Sequence, residues 1–221
     1  MRQLLLDILL ENPPRLDNFI AGENGEALTG LAAWLAPQNR EVSLFLWGES
    51  GSGKTHLLRA CGAIYHDAAA DPDLGLSDEA SQSSIFQAVD NVEALSEAGQ
   101  IAVFNRFNAL RVSGGRLITA SCRTPRELKF REDLRTRLAS GLVYRLTPLS
   151  DDEKREALKA QAQARGIPLS DEAVDYLLSR APRDMRTLSS LLIALDKRAL
   201  EDKRAITLPL LREMLRAQAV F

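Results

Sequence analysis

Gly48-Glu49-Ser50-Gly51-Ser52-Gly53-Lys54-Thr55 is the stretch on which the reading of this sequence turns. Its spacing is Gly-x-x-x-x-Gly-Lys-Thr, the pattern of a loop that cradles phosphate. Glycines let the backbone curl so that its N–H groups point inward at phosphate oxygens. The apolar run from Val42 to Trp47 precedes the loop and reads as a buried strand, and Thr55 to Ile64 follows with helical spacing. Strand, glycine loop and helix in that order is the context that validates the motif. The helix start adds the positive end of its dipole. Lys54 is expected to reach the β- and γ-phosphates of a nucleotide, and Thr55 to hold Mg²⁺. Gly48, Ser50, Gly51, Ser52 and Gly53 are expected to line the phosphates, with His56 beside them.

Outward from the loop, strand-like and helix-like runs alternate. Glu26 to Leu35 has helical spacing, with Asn24 as a candidate N-cap. Ile85 to Val89 reads as a second buried strand ending at Asp90, Arg116 to Ala120 as a third and Leu142 to Leu146 as a fourth. Glu97 to Val112 reads as a helix closed by Gly114-Gly115, and Arg131 to Leu138 as a short charged one. Asp67 to Ser83 is polar and reads as loop. After Pro148 the period changes. Ser150 with Glu153 forms a capping box, and helices are expected at 151–165, 171–180, 184–201 and 208–218 without intervening strands. Leu188, Leu191, Leu192 and Leu195 share a helical face and read as core. The expected organisation is an N-terminal segment 1–12 set off by Pro13-Pro14, an α/β core 13–149 and an all-α appendix 150–221.

Composition narrows the function classes. The 221 residues carry a formal net charge of -2, with 45% apolar and 26% charged residues, an ordinary balance for a globular chain. A mildly acidic chain is a poor non-specific binder of nucleic acid, so DNA contact is disfavoured though an uneven charge distribution leaves it open, and no direct sequence-specific DNA binding is expected. Cys61 and Cys122 are too far apart in sequence to read as a disulfide framework or a metal site. His56 and His66 are too isolated for metal or nucleophilic chemistry. No apolar run reaches the length of about 18 residues that a membrane helix needs. The apolar stretch Met1 to Leu10 carries Asp7 and lacks a small-residue cleavage site, so a cytoplasmic location is expected.

Asp90 ends a strand where a second carboxylate is needed for the Mg²⁺ shell, although a plain turn aspartate also suits the position. Asn91 follows it. A neutral amide can orient water but is a weak general base, so slow or absent hydrolysis is expected. Glu93 is a nearby carboxylate that could substitute.

The order of these motifs resembles the AAA+ domain of the bacterial replication initiator DnaA, over about 13 to 217. Leu16-Asp17-Asn18-Phe19-Ile20 resembles its adenine-side segment, which implies Asn18 and Phe19 beside the nucleotide. Ala88 to Glu93 resembles its Walker B region. Phe104 to Leu110 with Gly114-Gly115 is similar to the helix before sensor 1, and Leu117 to Pro125 to sensor 1 and its turn. Leu134-Arg135-Thr136-Arg137-Leu138 resembles the arginine-finger segment, and Arg183-Asp184-Met185-Arg186-Thr187-Leu188 resembles sensor 2. The stretch before Asp90 is short for the family, so one strand–helix unit of the core is expected to be reduced or missing. Cys122 falls where sensor 1 presents a polar or acidic residue. The fold implied is an AAA+ P-loop core, with a parallel sheet flanked by helices, followed by a small all-α lid.

The initiator continues into a helix-turn-helix domain, whereas this sequence stops at Phe221 after the lid. The resemblance is therefore closer to the Hda family of DnaA regulatory inactivators. That resemblance implies an ADP (or ATP) and Mg²⁺ cofactor, DnaA and the DNA polymerase III sliding clamp (beta) as partners, and a clamp-binding peptide at Gln3, Leu4, Leu6 and Ile8. Gln3 can bond at a pocket rim while the apolar side chains anchor in a groove. The same residues also suit an ordinary strand or helix on the chain's own core. Arg137 is implied as a finger acting on a neighbour's γ-phosphate, against a surface arginine in the charged run from Lys129. Arg186 is implied to touch the chain's own nucleotide, against a surface neighbour of Arg183. Rival readings are an autonomous ATPase such as a DnaC-like helicase loader, a small-molecule P-loop kinase and a clamp-loader subunit. Monomer, homodimer and nucleotide-dependent assembly are all open.

Overall fold

The computed structural model describes residues 13–75, 85–182, 184–202 and 208–219. Gln3, Leu4, Leu6, Ile8 and Arg183 lie outside them. The contacts divide the chain at Pro148, and each unit is described by itself.

Among the described residues the first unit holds a five-stranded, all-parallel sheet in the order β2-β3-β4-β1-β5, with β1 at Ser43–Trp47, β2 at Ile64–Asp67, β3 at Phe86–Asp90, β4 at Arg116–Ser121 and β5 at Leu142–Arg145. Parallel strands need crossover connections, and here helices supply most of them. α1 (Gly25–Leu35) leads into β1, and the crossover helices are α2 (Lys54–Ala60), α3 (Glu97–Ser113) and α4 (Glu132–Ser140). Successive side chains of a strand point to opposite faces, and the core divides accordingly. Phe45, Val89 and Leu117 face Val103, Phe107 and Leu110 of α3 and Leu134 and Leu138 of α4. Leu44, Leu46, Ala88, Ile118 and Ala120 face Leu31 and Trp34 of α1 and Leu57 and Leu58 of α2. A sheet covered on both faces has little room for polar side chains, which is why its central strands read as continuous apolar runs.

Helix ends follow local chemistry. Ser96 Oγ accepts from Gly99 N at the start of α3, and Gly114, at φ 74°, closes its end. Arg116 donates to the Leu35 and Ala36 carbonyls at the end of α1 and lies over the Trp34 ring.

Two expectations change. The phosphate-loop helix stops at Ala60 instead of running to Ile64, because Gly62 takes a left-handed φ of 75° and turns the chain. Ile64 to Asp67 then forms β2, paired in parallel with β3. The strand thought reduced or missing is therefore present at the sheet edge, and Asp67 belongs to it rather than to a loop.

The second unit has four described helices, α5 (Asp151–Ala164), α6 (Asp171–Arg180), α7 (Met185–Asp202) and α8 (Leu208–Ala219). Both arms of the Ser150–Glu153 capping box form, and Asp184 Oδ1 accepts from Thr187 N at the start of α7. Leu188, Leu191 and Leu195 pack with Leu158, Val174 and Leu177, and Leu192 packs with Ala162 and Ile167.

Asn24 precedes α1 but does not cap it with its side chain. The amide is 4% exposed and pairs with the backbone of Thr147, donating to its carbonyl at 2.9 Å and accepting from its N–H at 2.7 Å. Asn24→Ala orphans both groups and is expected to cost about 2–4 kcal/mol. Asn24→Ser keeps capping capacity and is expected to recover under about 1 kcal/mol of that. Urea unfolding of the three proteins measures both values, and full recovery by Ser would assign Asn24 to capping instead.

Candidate functional site: the phosphate loop and its carboxylate

Gly48 to Thr55 links the end of β1 to α2. Its conformation explains its composition. Gly51 and Gly53 have φ of 81° and 93°, a region that side chains with a Cβ avoid. A Cβ at Gly48 would lie 2.1 Å from the Leu146 carbonyl, and one at Gly53 would lie 2.5 Å from the Phe19 ring. Ser52 is buried, whereas Ser50 is exposed.

Lys54 is 9% exposed, and its Nζ donates to the carbonyls of Gly48 and Glu49, each at 2.8 Å. Burial lowers its pKa, and the negative charges of Asp90 and Glu93 oppose that shift. Thr55 Oγ1 donates to Asp90 Oδ2 at 2.6 Å, and Tyr65 donates to the same oxygen at 2.9 Å. The Asn91 N–H donates to Asp90 Oδ1 at 2.9 Å. Asp90 is 1% exposed, so these donors are what make its burial tolerable. Burial first, then Asp90, push the Tyr65 phenol up to about 12.

The segment read as adenine-side lies against the loop. Phe19 packs on Gly53 and meets the His56 ring edge-on at 5.4 Å, and His56 Nε2 is 2.9 Å from the Arg15 carbonyl. Asn18 Oδ1 accepts from Arg15 N, which shapes that segment's turn.

The two polar residues after Asp90 are engaged elsewhere. Asn91 takes a left-handed φ of 52°, and its Nδ2 donates to Asp67 Oδ1 at 2.8 Å. Its amide is therefore turned to β2. The Glu93 carboxylate accepts from the Cys122 N–H at 3.2 Å. Burial pushes the Glu93 carboxyl up, but donors at Cys122 and Ser121 outweigh it and hold the group below its ordinary value. Sequence reasoning missed Tyr65 and Asp67. The signal was the polar Tyr65-His66-Asp67 triplet after Gly62.

Arg137 is half-buried in the last turn of α4, with its guanidinium 5.8 Å from the centre of the Phe107 ring. Arg135 pairs loosely with Glu132 at 4.0 Å. Arg186 is exposed in the first turn of α7, in the second unit. Cys61 is partly buried, and burial pushes its thiol up to about 12. His66 lines a small cavity with Gln87 and Arg106, and burial lowers its pKa. Among the described residues, no helix is long and apolar enough to cross a membrane.

The parallel sheet, its strand order and the glycine loop define a P-loop protein of the AAA+ type. Residues 10–74 match the family model of the bacterial DnaA ATPase domain, and residues 151–215 match that of the Hda lid domain. The chain is a Hda/DnaA-related AAA+ protein. Domain III of the Thermotoga maritima replication initiation protein DnaA superposes with a TM-score of 0.72 at 22% identity, over 93% of this chain and 97% of that one. AMPPCP-bound DnaA from Aquifex aeolicus gives 0.68 at 26% identity, over 87% and 68%. The Holliday junction branch migration motor RuvB of T. maritima gives 0.67 at 17%, over 95% and 73%, a likeness of fold alone.

The Glu93 carboxylate, together with partial burial, raises the Cys122 thiol above its ordinary pKa. A neutral amide removes the charge that opposes the thiolate, and thiolate is the reactive form. In a Cys61→Ala background, Glu93→Gln is expected to speed alkylation of Cys122 at pH 8, with the apparent pKa of the rate profile moved down. An unchanged profile would remove Glu93 as the cause.

Proposed function

We propose that this chain is a regulator of chromosome replication initiation. It binds ADP, or ATP, with Mg²⁺ at Gly48 to Thr55, docks on the DNA-loaded sliding clamp through Gln3 to Ile8, and offers Arg137 to ATP-bound DnaA. DnaA then hydrolyses its nucleotide and loses activity. The observation that carries this reading is an intact phosphate cradle whose neighbouring polar groups, Asn91 and Glu93, are tied to Asp67 and Cys122. Such a site suits holding a nucleotide better than hydrolysing one, since the residue after Asp90 is a neutral amide, a weak general base, and the Glu93 carboxylate is partly engaged by the Cys122 N–H. The two family matches and the AMPPCP-bound relative support nucleotide binding and a replication context.

Each part has its own chemistry. Lys54 now bonds neutral carbonyls, so a phosphate replaces weak partners with a charged one. The hard oxygens of Thr55 and Asp90 fit Mg²⁺, which favours carboxylate and hydroxyl donors. Bound there, Mg²⁺ offsets phosphate charge. Asn18 and Phe19 are assigned to the base side, and Arg186 is the residue that the sensor 2 resemblance implies for the phosphates.

Arg137 fits an action in trans. It precedes Gly141, which packs against Ser43 at the start of β1, whereas the loop leaves the other end of that strand. Five residues of parallel strand separate those two ends by about 13 Å.

The test is ATP hydrolysis by purified DnaA with DNA-loaded clamp. Added wild-type protein is expected to accelerate hydrolysis. Arg137→Ala is expected to lose at least about 10³-fold of that stimulation while still binding ADP and clamp, and Gln3→Ala to lose clamp binding. Turnover of ATP by this chain alone, with no effect on DnaA, would make it an autonomous ATPase of the helicase-loader kind, with Glu93 as the candidate base.

A further inference from the structure

β2 is a short, half-buried edge strand, yet two of its side chains reach the metal-binding end of the site. Tyr65 and Asp67 are two apart and share a face. The parallel register sets Asp67 beside Asp90. The Tyr65 hydroxyl donates to Asp90 Oδ2, and its ring lies 4.5 Å beneath the Arg59 guanidinium of α2. Asp67 Oδ1 accepts from Asn91 Nδ2 at 2.8 Å and from Ala69 N at 3.0 Å.

These contacts have separable effects. A carboxylate turns easily about its last torsion, because an sp³–sp² bond has a broad, two-fold profile. Asp90 is fixed because both of its oxygens are held, Oδ2 by Thr55 and Tyr65 and Oδ1 by the Asn91 N–H. A Thr55 hydroxyl that gives its hydrogen to Asp90 keeps its lone pairs for a cation. The Asn91 N–H is aimed by the left-handed conformation of that residue, which asparagine tolerates better than most. The bond to Asp67 holds Asn91 in that conformation. A carboxylate at position 91 would instead face the Asp67 carboxylate, and like charges that close cannot both remain ionised. Asp67 thus gives a physical reason for an amide at position 91.

We propose that Tyr65 and Asp67 are positioning residues for the divalent-cation end of this nucleotide site, Tyr65 by fixing the Asp90 carboxylate and Asp67 by fixing Asn91. The assignment rests on the Mg²⁺–nucleotide reading above. It gives β2 a function, since an edge strand that only closed the sheet would not need two polar side chains directed at the site.

The test is the dissociation constant of a fluorescent ADP analogue, measured with Mg²⁺ and with EDTA, the readout being the ratio of the two. Tyr65→Phe is expected to shrink that ratio roughly tenfold, as loss of a hydrogen bond to a charged group implies. Loss of structure alone weakens both measurements together and leaves the ratio in place. Asn91→Asp is expected to shrink the ratio as well, and the double variant Asn91→Asp/Asp67→Asn, which restores an amide–carboxylate pair, to recover it. A Tyr65→Phe ratio within about twofold of wild type, or no recovery in the double variant, overturns the assignment while the nucleotide-binding reading stands. Wild-type protein that binds the analogue with no Mg²⁺ increment also overturns it, again leaving nucleotide binding intact. Wild-type protein that binds under neither condition overturns both.

Discussion

The burial of one carboxylate constrains the rest of the core. Asp90 is 1% exposed at the end of a central strand, and an unpaired charge there would cost many kcal/mol. Its donors come from three separate segments. Thr55 requires α2 to begin directly after the glycine loop, Tyr65 requires β2 to return alongside β3, and the Asn91 N–H requires a left-handed residue immediately after the strand. None of these segments can shift without taking a donor from the buried carboxylate, and loss of the Asn91 N–H leaves Oδ1 with none. The loop is therefore positioned twice, by the glycine conformations within it and by the carboxylate against which its helix starts.

Lys54 shows how the same economy serves ligand exchange. Its ammonium is buried against the Gly48 and Glu49 carbonyls and stands in the field of Asp90 and Glu93, without an ion pair to either. An ion pair would have to be broken before a phosphate could bind. Bonds to neutral carbonyls are weaker than the charge-assisted bonds a phosphate offers. Asp90 is spared that role because its oxygens are already occupied by hydroxyl and amide donors. The positive and negative groups of the site thus stand close without neutralising each other.

Legibility in the sequence followed the range of the interactions. The phosphate loop could be read because its chemistry is local: glycines at fixed spacing, between an apolar run and a helix. The central strands were equally plain, because burial on both faces leaves continuous apolar runs. β2 was not plain. Leu57, Leu58 and Ile64 look like one helical stripe, and only the φ of Gly62 shows that Ile64 belongs to the next element. Tyr65 and Asp67 carry no apolar signature, and their partners lie more than twenty residues away. Asn24 was legible as a cap by position, but its amide serves Thr147 at a separation of 123 residues, which local sequence does not encode. The engagement of Asn91 and Glu93 was invisible for the same reason, although the absence of a carboxylate directly after Asp90 already pointed away from hydrolysis.

The segment ahead of α1 joins several of these constraints. Phe19 fills the space that the missing side chain of Gly53 leaves, His56 bonds the Arg15 carbonyl, and Asn24 grips Thr147, next to the boundary with the second unit. Ten residues of chain are thus fixed at one end to the phosphate loop and at the other to the end of the core. Their sequence follows Pro13-Pro14 and has only Leu16, Phe19, Ile20 and Ala21 as apolar positions, yet each fixed point is a specific contact. Phe19 therefore cannot move with the loop unless the chain between it and Asn24 bends. Bending there is resisted by the Asn18–Arg15 bond at one end and the paired Asn24 bonds at the other. The packing of Phe19 against the phosphate loop is thereby tied to the end of the core.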